Sequence, residues 1–314
     1  MTTLITGGMG FIGLHTVRAF LDAGEDVVAT YHETWRPPSF LKDEMGKRVI
    51  YEQADIGEPN VLLGLVKKYK IDGVVHLAIH GKAYPDPGDD LRANMDKLSV
   101  VLDAVREAEV RRLCMASSSA PYFGLSEGPF KETDFLPMTS IASPEAFKKA
   151  WEILSMNYAV QSGIDLVTMR LSGVYGPMYA SMFNLPSRLC HAAAKGIGPD
   201  FSAGVPFSED ANDMTFVKDI ALGIRLVHQA PKLEHKLYNI GTGKATSNGE
   251  FLAAVTKAKP DFDVTIREGK GPRYRPNARL DISRATDELG FKPVYTCETA
   301  VAEYIDWLEQ GNAV

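Results

Sequence analysis

The stretch TLITGGMGFIG, residues 3–13, constrains this chain more than any other. A short apolar run at 3–6 meets glycines, and helical spacing follows at once through Phe11, Leu14, Val17 and Leu21 to a stop at Gly24. Gly8-x-Gly10-x-x-Gly13 therefore lies between a strand and a helix. Glycines allow the tight turn and let the backbone approach a pyrophosphate, and the helix amino end then faces the negative charge. In that context the pattern reads as a dinucleotide-binding turn, where the same glycines alone would be weak.

The rest of the first two-thirds keeps alternating. Segments 26–30, 49–53, 73–78, 112–118 and 165–171 read as strands, and 58–69, 90–108 and 144–161 as helices. Strands separated by helices predict an α/β fold with a doubly wound parallel sheet of Rossmann type, with its ligand at the carboxyl ends of the strands. After Arg170 the chain becomes rich in Gly, Pro and aromatics, as the loops of a smaller C-terminal lobe. Residues 214–230 and 236–241 read as a return to the sheet, 248–257 and 297–309 as late helices. The expected division is a nucleotide-binding domain over 1–170 plus about 214–241, and a substrate lobe over about 171–213 and 242–314.

Composition narrows the function. A net charge of −6 gives no basic footprint for nucleic acid. No apolar run approaches a membrane span, and MTTLITGG lacks the marks of a signal peptide. Cys114, Cys190 and Cys297 show no metal or redox spacing, so a reduced, cytoplasmic protein with a small-molecule substrate is expected. His76 and His80 are four apart, but His76 falls in a strand, where that spacing does not converge on one ion, so no metal is expected.

Gly7-x-x-Gly10-x-x-Gly13 also resembles the extended short-chain dehydrogenase/reductase superfamily, the branch of NAD-dependent epimerases and dehydratases. The likeness continues through ADI (54–56), VVHLA (74–78), SSSA (117–120), RLSGVYGP (170–177), YNIGTG (238–243) and LDISRATDELGFKP (280–293). It implies cofactor contacts from Gly7, Gly10, Phe11, Ile12, Gly13, Asp55, Ile56, Leu77, Ala78 and Asn94. It implies a reactive serine at Ser119 and an NAD(P)-dependent epimerase, dehydratase or dehydrogenase acting on a hydroxyl or carbonyl carbon, with a sugar derivative as the family's substrate. It also implies a homodimer through the helices at 90–108 and 144–161, which carry apolar residues on more than one side.

Three departures from the family pattern stand out. The family pairs a tyrosine with a lysine four residues later, and the lysine holds the nicotinamide ribose while the tyrosine exchanges a proton. In SPEAFKKAWE (143–152), where Ser143 is the expected cap, Lys148 fits the lysine because Glu152 then falls on the family glutamate. Pro144 occupies the tyrosine place, and taking Lys149 instead gives Glu145. Tyr122 is the leading replacement acid; a substrate-assisted or water-mediated step, a redox-neutral lyase and a silent dinucleotide-binding sensor are the alternatives. Secondly, Tyr31 stands where NAD users carry an acid at the end of strand two. Glu33 could substitute for it, whereas His32 and Arg36 suit a 2′-phosphate; family habit favours NAD over NADP. Thirdly, Asn212 stands where nucleotide-sugar enzymes often place an arginine, among Glu209, Asp210 and Asp213, whose charges would repel a diphosphate. Ser119, Tyr175, Asn184, Arg273 and Arg275 are the candidate substrate contacts.

Overall fold

The computed structural model describes residues 2–78, 85–139 and 142–312. In chain order the first elements are β1 (Thr2–Thr6), α1 (Phe11–Asp22), β2 (Asp26–Tyr31), β3 (Val49–Gln53), α2 (Val61–Tyr69), β4 (Gly73–His76), α3 (Pro87–Glu107), β5 (Arg112–Ser118), α4 (Ser143–Ser162) and β6 (Leu166–Leu171). There follow β7 (Gly173–Tyr175), α5 (Leu185–Lys195), β8 (Ala211–Asn212), β9 (Met214–Phe216), α6 (Val217–Gln229), β10 (Leu237–Ile240), β11 (Thr246–Ser247), α7 (Asn248–Ala258), α8 (Ser283–Leu289) and α9 (Cys297–Glu309).

Seven strands form one sheet in the order β10-β6-β5-β4-β1-β2-β3. β1 pairs in parallel with both β2 and β4, and the chain order reverses between β1 and β4. Such a switch point opens a crevice at the carboxyl ends of the strands. All residues of β4 and β6 are buried, as a parallel sheet covered on both faces requires. One cover comes from Leu62 and Val66 of α2, Leu98, Val101, Leu102 and Val105 of α3, and Trp151 of α4.

The chain divides into two compact units. The first comprises residues up to Phe123, Pro137–Arg170 and Ala221–Tyr238; the second comprises Gly124–Leu136, Leu171–Ile220 and Asn239–Val314. The boundaries differ from the sequence reading at 124–136, 214–220 and 239–241. Backbone and amide bonds explain the first shift: Phe130 N–H donates to Arg279 O at 2.8 Å, and the Asn239 amide donates to the carbonyls of Phe130 and Asp281, both at 2.9 Å. The expected return to the sheet at 214–230 is also corrected. Only Met214–Phe216 is extended, and it pairs with β7 outside the main sheet. The remainder is α6, with Val217, Ile220, Ala221, Ile224 and Val227 buried at helical spacing. In the second unit α5, α7 and α9 close a core around Tyr175, Phe216, Phe251 and Tyr304.

Candidate functional site

The β1–α1 turn is built from glycines with different duties. Gly7 has φ of 68°, and a Cβ there would lie 3.0 Å from the backbone of Ala78. A Cβ on Gly13 would stand 2.1 Å from Gly7 O, so this glycine lets α1 pack against the turn. Gly10 is exposed, and a Cβ there would meet only Gly7 O, at 3.1 Å. Gly10 begins α1, whose amino end has no side-chain cap and no acidic residue in its first turn. This is an open helix terminus whose dipole suits an anion, with Phe11 and Ile12 half-buried behind it. The turn is tied to its neighbours: Gly8 N–H donates to Thr30 O at 2.8 Å, Leu77 N–H to Thr6 O at 3.3 Å, and Ala78 N–H to Thr6 Oγ1 at 3.4 Å. Leu77 and Ala78 thus border the turn at the switch point.

Aromatic and charged side chains gather at the end of β2. Tyr31 packs against Trp35 at 4.9 Å between centroids, and Trp35 sets its edge or face to Tyr51 at 5.5 Å. Arg36 reaches back to the glycine turn and donates from Nε to Met9 O at 3.4 Å; burial lowers its pKa. His32 is exposed, with Nε2 3.7 Å from the Asp55 carboxylate and Nδ1 3.9 Å from that of Glu33. Asp55 accepts from Gly57 N–H at 2.9 Å, and Ile56 packs on the core beneath α2 and α3. Asn94 is buried in α3 and donates to Asp90 O at 2.8 Å.

The structure separates the two lysines of α4. Lys149 is clamped by Glu145 at 2.8 Å and by the carbonyl of Pro137 at 2.6 Å. Lys148 is partly exposed and donates from Nζ to Ala116 O on β5 at 2.8 Å. Burial lowers its pKa to about 8, with Glu152 opposing. The cap residue of α4 is Ala142, not Ser143, and it supplies no side-chain bond; Pro144 is exposed in the first turn. His76, at the end of β4, shares a 2.8 Å hydrogen bond between Nδ1 and Thr6 Oγ1. Burial, and secondarily Lys148, lowers the His76 pKa to about 4. Sequence reasoning weighed His76 only as a metal ligand; its signal was a polar residue ending a buried strand. His80 lies outside the described residues.

Behind Lys148 sits a buried ion pair. Glu152 accepts from Arg170 Nη2 at 2.7 Å and Nε at 3.1 Å, and from the Ser117 hydroxyl. The Arg170 guanidinium lies 4.7 Å from the centroid of Tyr122, which is 1% exposed. Tyr122 is therefore a packing partner of this pair, and the expectation that it faces a substrate is not met by its position. Ser119 is half-buried and accepts from Tyr122 N–H at 3.1 Å through its carbonyl.

The second unit holds the other substrate candidates. Tyr175 belongs to its core, edge-on to Phe216 at 5.8 Å and to Phe251 at 5.4 Å, so its ring is taken up by packing. Asn184 caps α5, accepting from Ser187 N–H at 2.9 Å. Arg273 is exposed, and Arg275 lies over Phe130 at 4.9 Å. Asp213 is buried and accepts from Thr242 N–H and Oγ1 at 2.9 and 2.8 Å, from Gly243 N–H at 3.0 Å and from Leu280 N–H at 3.1 Å. Its carboxylate holds loops together, which removes it from the charges read as repelling a diphosphate.

A parallel sheet with this strand order, a glycine turn at its switch point and a lysine presented by α4 define a dinucleotide-binding protein of the extended short-chain dehydrogenase/reductase kind. The chain belongs to the NAD dependent epimerase/dehydratase family, which it matches over residues 3–241, and it is an enzyme of that family. It is 27% identical to a dTDP-glucose 4,6-dehydratase of Xanthomonas campestris pv. campestris (strain B100), over 98% of this chain and 92% of the relative. It is 29% identical to a UDP-glucose 4-epimerase of Lacticaseibacillus casei, over 94% and 92%. Among solved structures, the UDP-glucose 4-epimerase of Thermotoga maritima with UDP-glucose superposes with a TM-score of 0.80 at 19% identity, covering 99% of both chains. MoeE5 in complex with UDP-glucose and NAD gives 0.75 at 25%, again over 99% of both.

Proposed function

We propose that this enzyme is an NAD(P)-dependent epimerase or dehydratase of a nucleoside-diphosphate sugar. The observation that carries the reading is the open amino end of α1 at Gly10, in a turn whose Gly7 meets Ala78 at the sheet's switch point. A pyrophosphate fits there because backbone N–H groups and the helix dipole face it. Asp55 and Ile56 border the adenosine end, Lys148 holds the nicotinamide ribose, and Ser119 meets the substrate oxygen. When bound, the cofactor accepts and returns a hydride, so that a hydroxyl carbon is a carbonyl in between. The names of the relatives support a UDP- or dTDP-linked hexose.

NAD is the leading cofactor on family grounds. A specific feature favours NADP as the second reading: Arg36 lies over the glycine turn, and no acid ends β2. Replacing Arg36 by Ala should then cost NADP about 1.5–3 kcal/mol of binding and leave NAD unchanged. A homodimer is supported by the outer side of α4, where Ile153, Leu154, Met156 and Val160 are exposed. The functional reading is tested by incubating the enzyme with NAD or NADP and a panel of UDP- and dTDP-hexoses, following the sugar by NMR. Inversion or loss of water at one sugar carbon is expected; an unchanged panel with both cofactors would overturn the reading.

A further inference from the structure

A hydroxyl that becomes a carbonyl must hand its proton to a group able to take it near neutral pH. Among the described residues, the titratable side chains of α4 and of the strands and turn it packs against are mostly engaged already. Glu145 is buried against Lys149. Glu152 is held by Arg170 and Ser117, and Tyr122 is sealed beneath Arg170. His76 is bound to Thr6. The first turn of α4 presents Pro144, which has no proton to exchange.

Lys148 is different. It is partly exposed, no carboxylate among the described residues forms an ion pair with it, and its hydrogen bond goes to a backbone carbonyl, Ala116 O, at 2.8 Å. A neutral amine keeps such a bond, because it still donates N–H, and it leaves the lone pair available. The Trp151 ring lies 5.4 Å from Nζ, and its face favours the ammonium form that burial opposes. The place is also right: Ala116 lies one residue beyond Met115, which pairs with His76, and His76 is bonded to the residue that precedes Gly7.

We propose that Lys148 is itself the proton-transfer group of this enzyme, and not only a hold on the cofactor ribose. The substrate O–H bond breaks and an N–H bond forms at Nζ, while the carbon's C–H electron pair leaves as hydride to the oxidised dinucleotide and the C=O bond forms. The return step reverses each of these. The proposal rests on the functional reading above, which supplies the oxidant. The charged and titratable groups facing Lys148 are His76 from β4, neutral through burial, and Glu152 from its own helix, which is paired with Arg170 of β6. Burial outweighs Glu152 and places the amine's titration at about 8, where both protonation states are populated in neutral solution.

Two measurements test this. The first is NMR of protein labelled at lysine Cε, with Lys148→Arg assigning the resonance; it needs no substrate. A midpoint at about 8 is expected in the free enzyme. A midpoint at the ordinary lysine value of about 10.4 would overturn the proposal. The second compares Lys148→Arg with wild type. Arginine keeps the charge but does not release a proton, so cofactor Kd should stay within about threefold while conversion falls by roughly 10²–10⁴-fold. Small primary amines should partly restore conversion by Lys148→Ala, in proportion to their free-base concentration. Conversion by Lys148→Arg within about threefold of wild type would sink the proposal. A midpoint near 8 with no conversion by wild type would instead bring down the functional reading, and the proposal with it.

Discussion

A methyl group added at Gly13 would stand 2.1 Å from Gly7 O, whereas one added at Gly10 would meet that atom at 3.1 Å and face open space otherwise. The two glycines therefore fail differently. Gly13→Ala should destabilise the first unit by about 1–3 kcal/mol, because the turn has nowhere to move without unseating Gly7 from Ala78. Gly10→Val should cost no more than about 1 kcal/mol, yet fill the space at the helix terminus and abolish dinucleotide binding. Thermal melts and calorimetry on the pair check both halves. Lys148 carries a second prediction of this kind. Its folded pKa is about 8, below the ordinary 10.5, so below pH 10.5 the unfolded chain takes the proton more readily, and the buried amine costs stability at neutral pH. Lys148→Met keeps the stem and removes that cost, so it should raise the melting temperature at pH 7 while weakening cofactor binding. The glycine turn was legible in sequence because its spacing and its strand–helix context are local. The choice between Lys148 and Lys149 needed the register of a glutamate in sequence, and the structure supplies its physical reason in the clamp of Glu145 and Pro137 O on Lys149. The setting of Tyr122 was not legible, because nearness to Ser119 in the chain does not say which way a ring turns; here the ring is buried beside the Arg170 guanidinium.

At the scale of elements, Arg112 ties β5 to the end of α6. Arg112 is 2% exposed and donates to the Asp165 carboxylate at 2.8 Å and to the carbonyls of Val227 and Ala230 at 3.0 and 2.6 Å. The last carbonyls of a helix have no partner within it, so this arginine satisfies the end of α6 and fixes it to the sheet. Arg112→Ala leaves those carbonyls without their donor while Lys236 still pairs with the Asp165 carboxylate, and should cost about 1–3 kcal/mol in denaturant titration. A loss below about 1 kcal/mol would mean that water replaces the guanidinium without penalty. The same helix shows how elements escape notice. Its buried positions 217, 220, 221, 224 and 227 have helical spacing, but the extended MTF before it suggested a strand, and three residues of strand were correct. α5 was passed over inside a loop-rich region, although Asn184 as cap, Pro186 in the first turn and Gly196 at the stop are all local signals.

For the molecule as a whole, buried histidines contribute to its response to acid, His76 and His228 among them. Burial lowers His76 to about 4 and His228 to about 3, both from 6.5. As pH falls below 6.5 the unfolded chain gains protons that the folded chain refuses, so the contribution of these histidines is full above 6.5 and declines down to about pH 4 and below. Below pH 6.5 each of these histidines should steepen the loss by up to about 1.4 kcal/mol per pH unit, and His228→Gln should flatten it. The division into units was only partly legible, because Gly124–Leu136 joins the second unit through Phe130, Asn239 and Leu280, partners more than 100 residues away. The central claim concerns the first unit, that it holds a nicotinamide dinucleotide with its pyrophosphate on the amino end of α1. Calorimetric titration of the wild type and of folded Gly10→Val with NAD⁺, NADH, NADP⁺ and NADPH tests it most directly. The account predicts saturable binding of at least one of the four to the wild type and none to Gly10→Val; no binding of any of them to the wild type, or equal binding to both proteins, would contradict it.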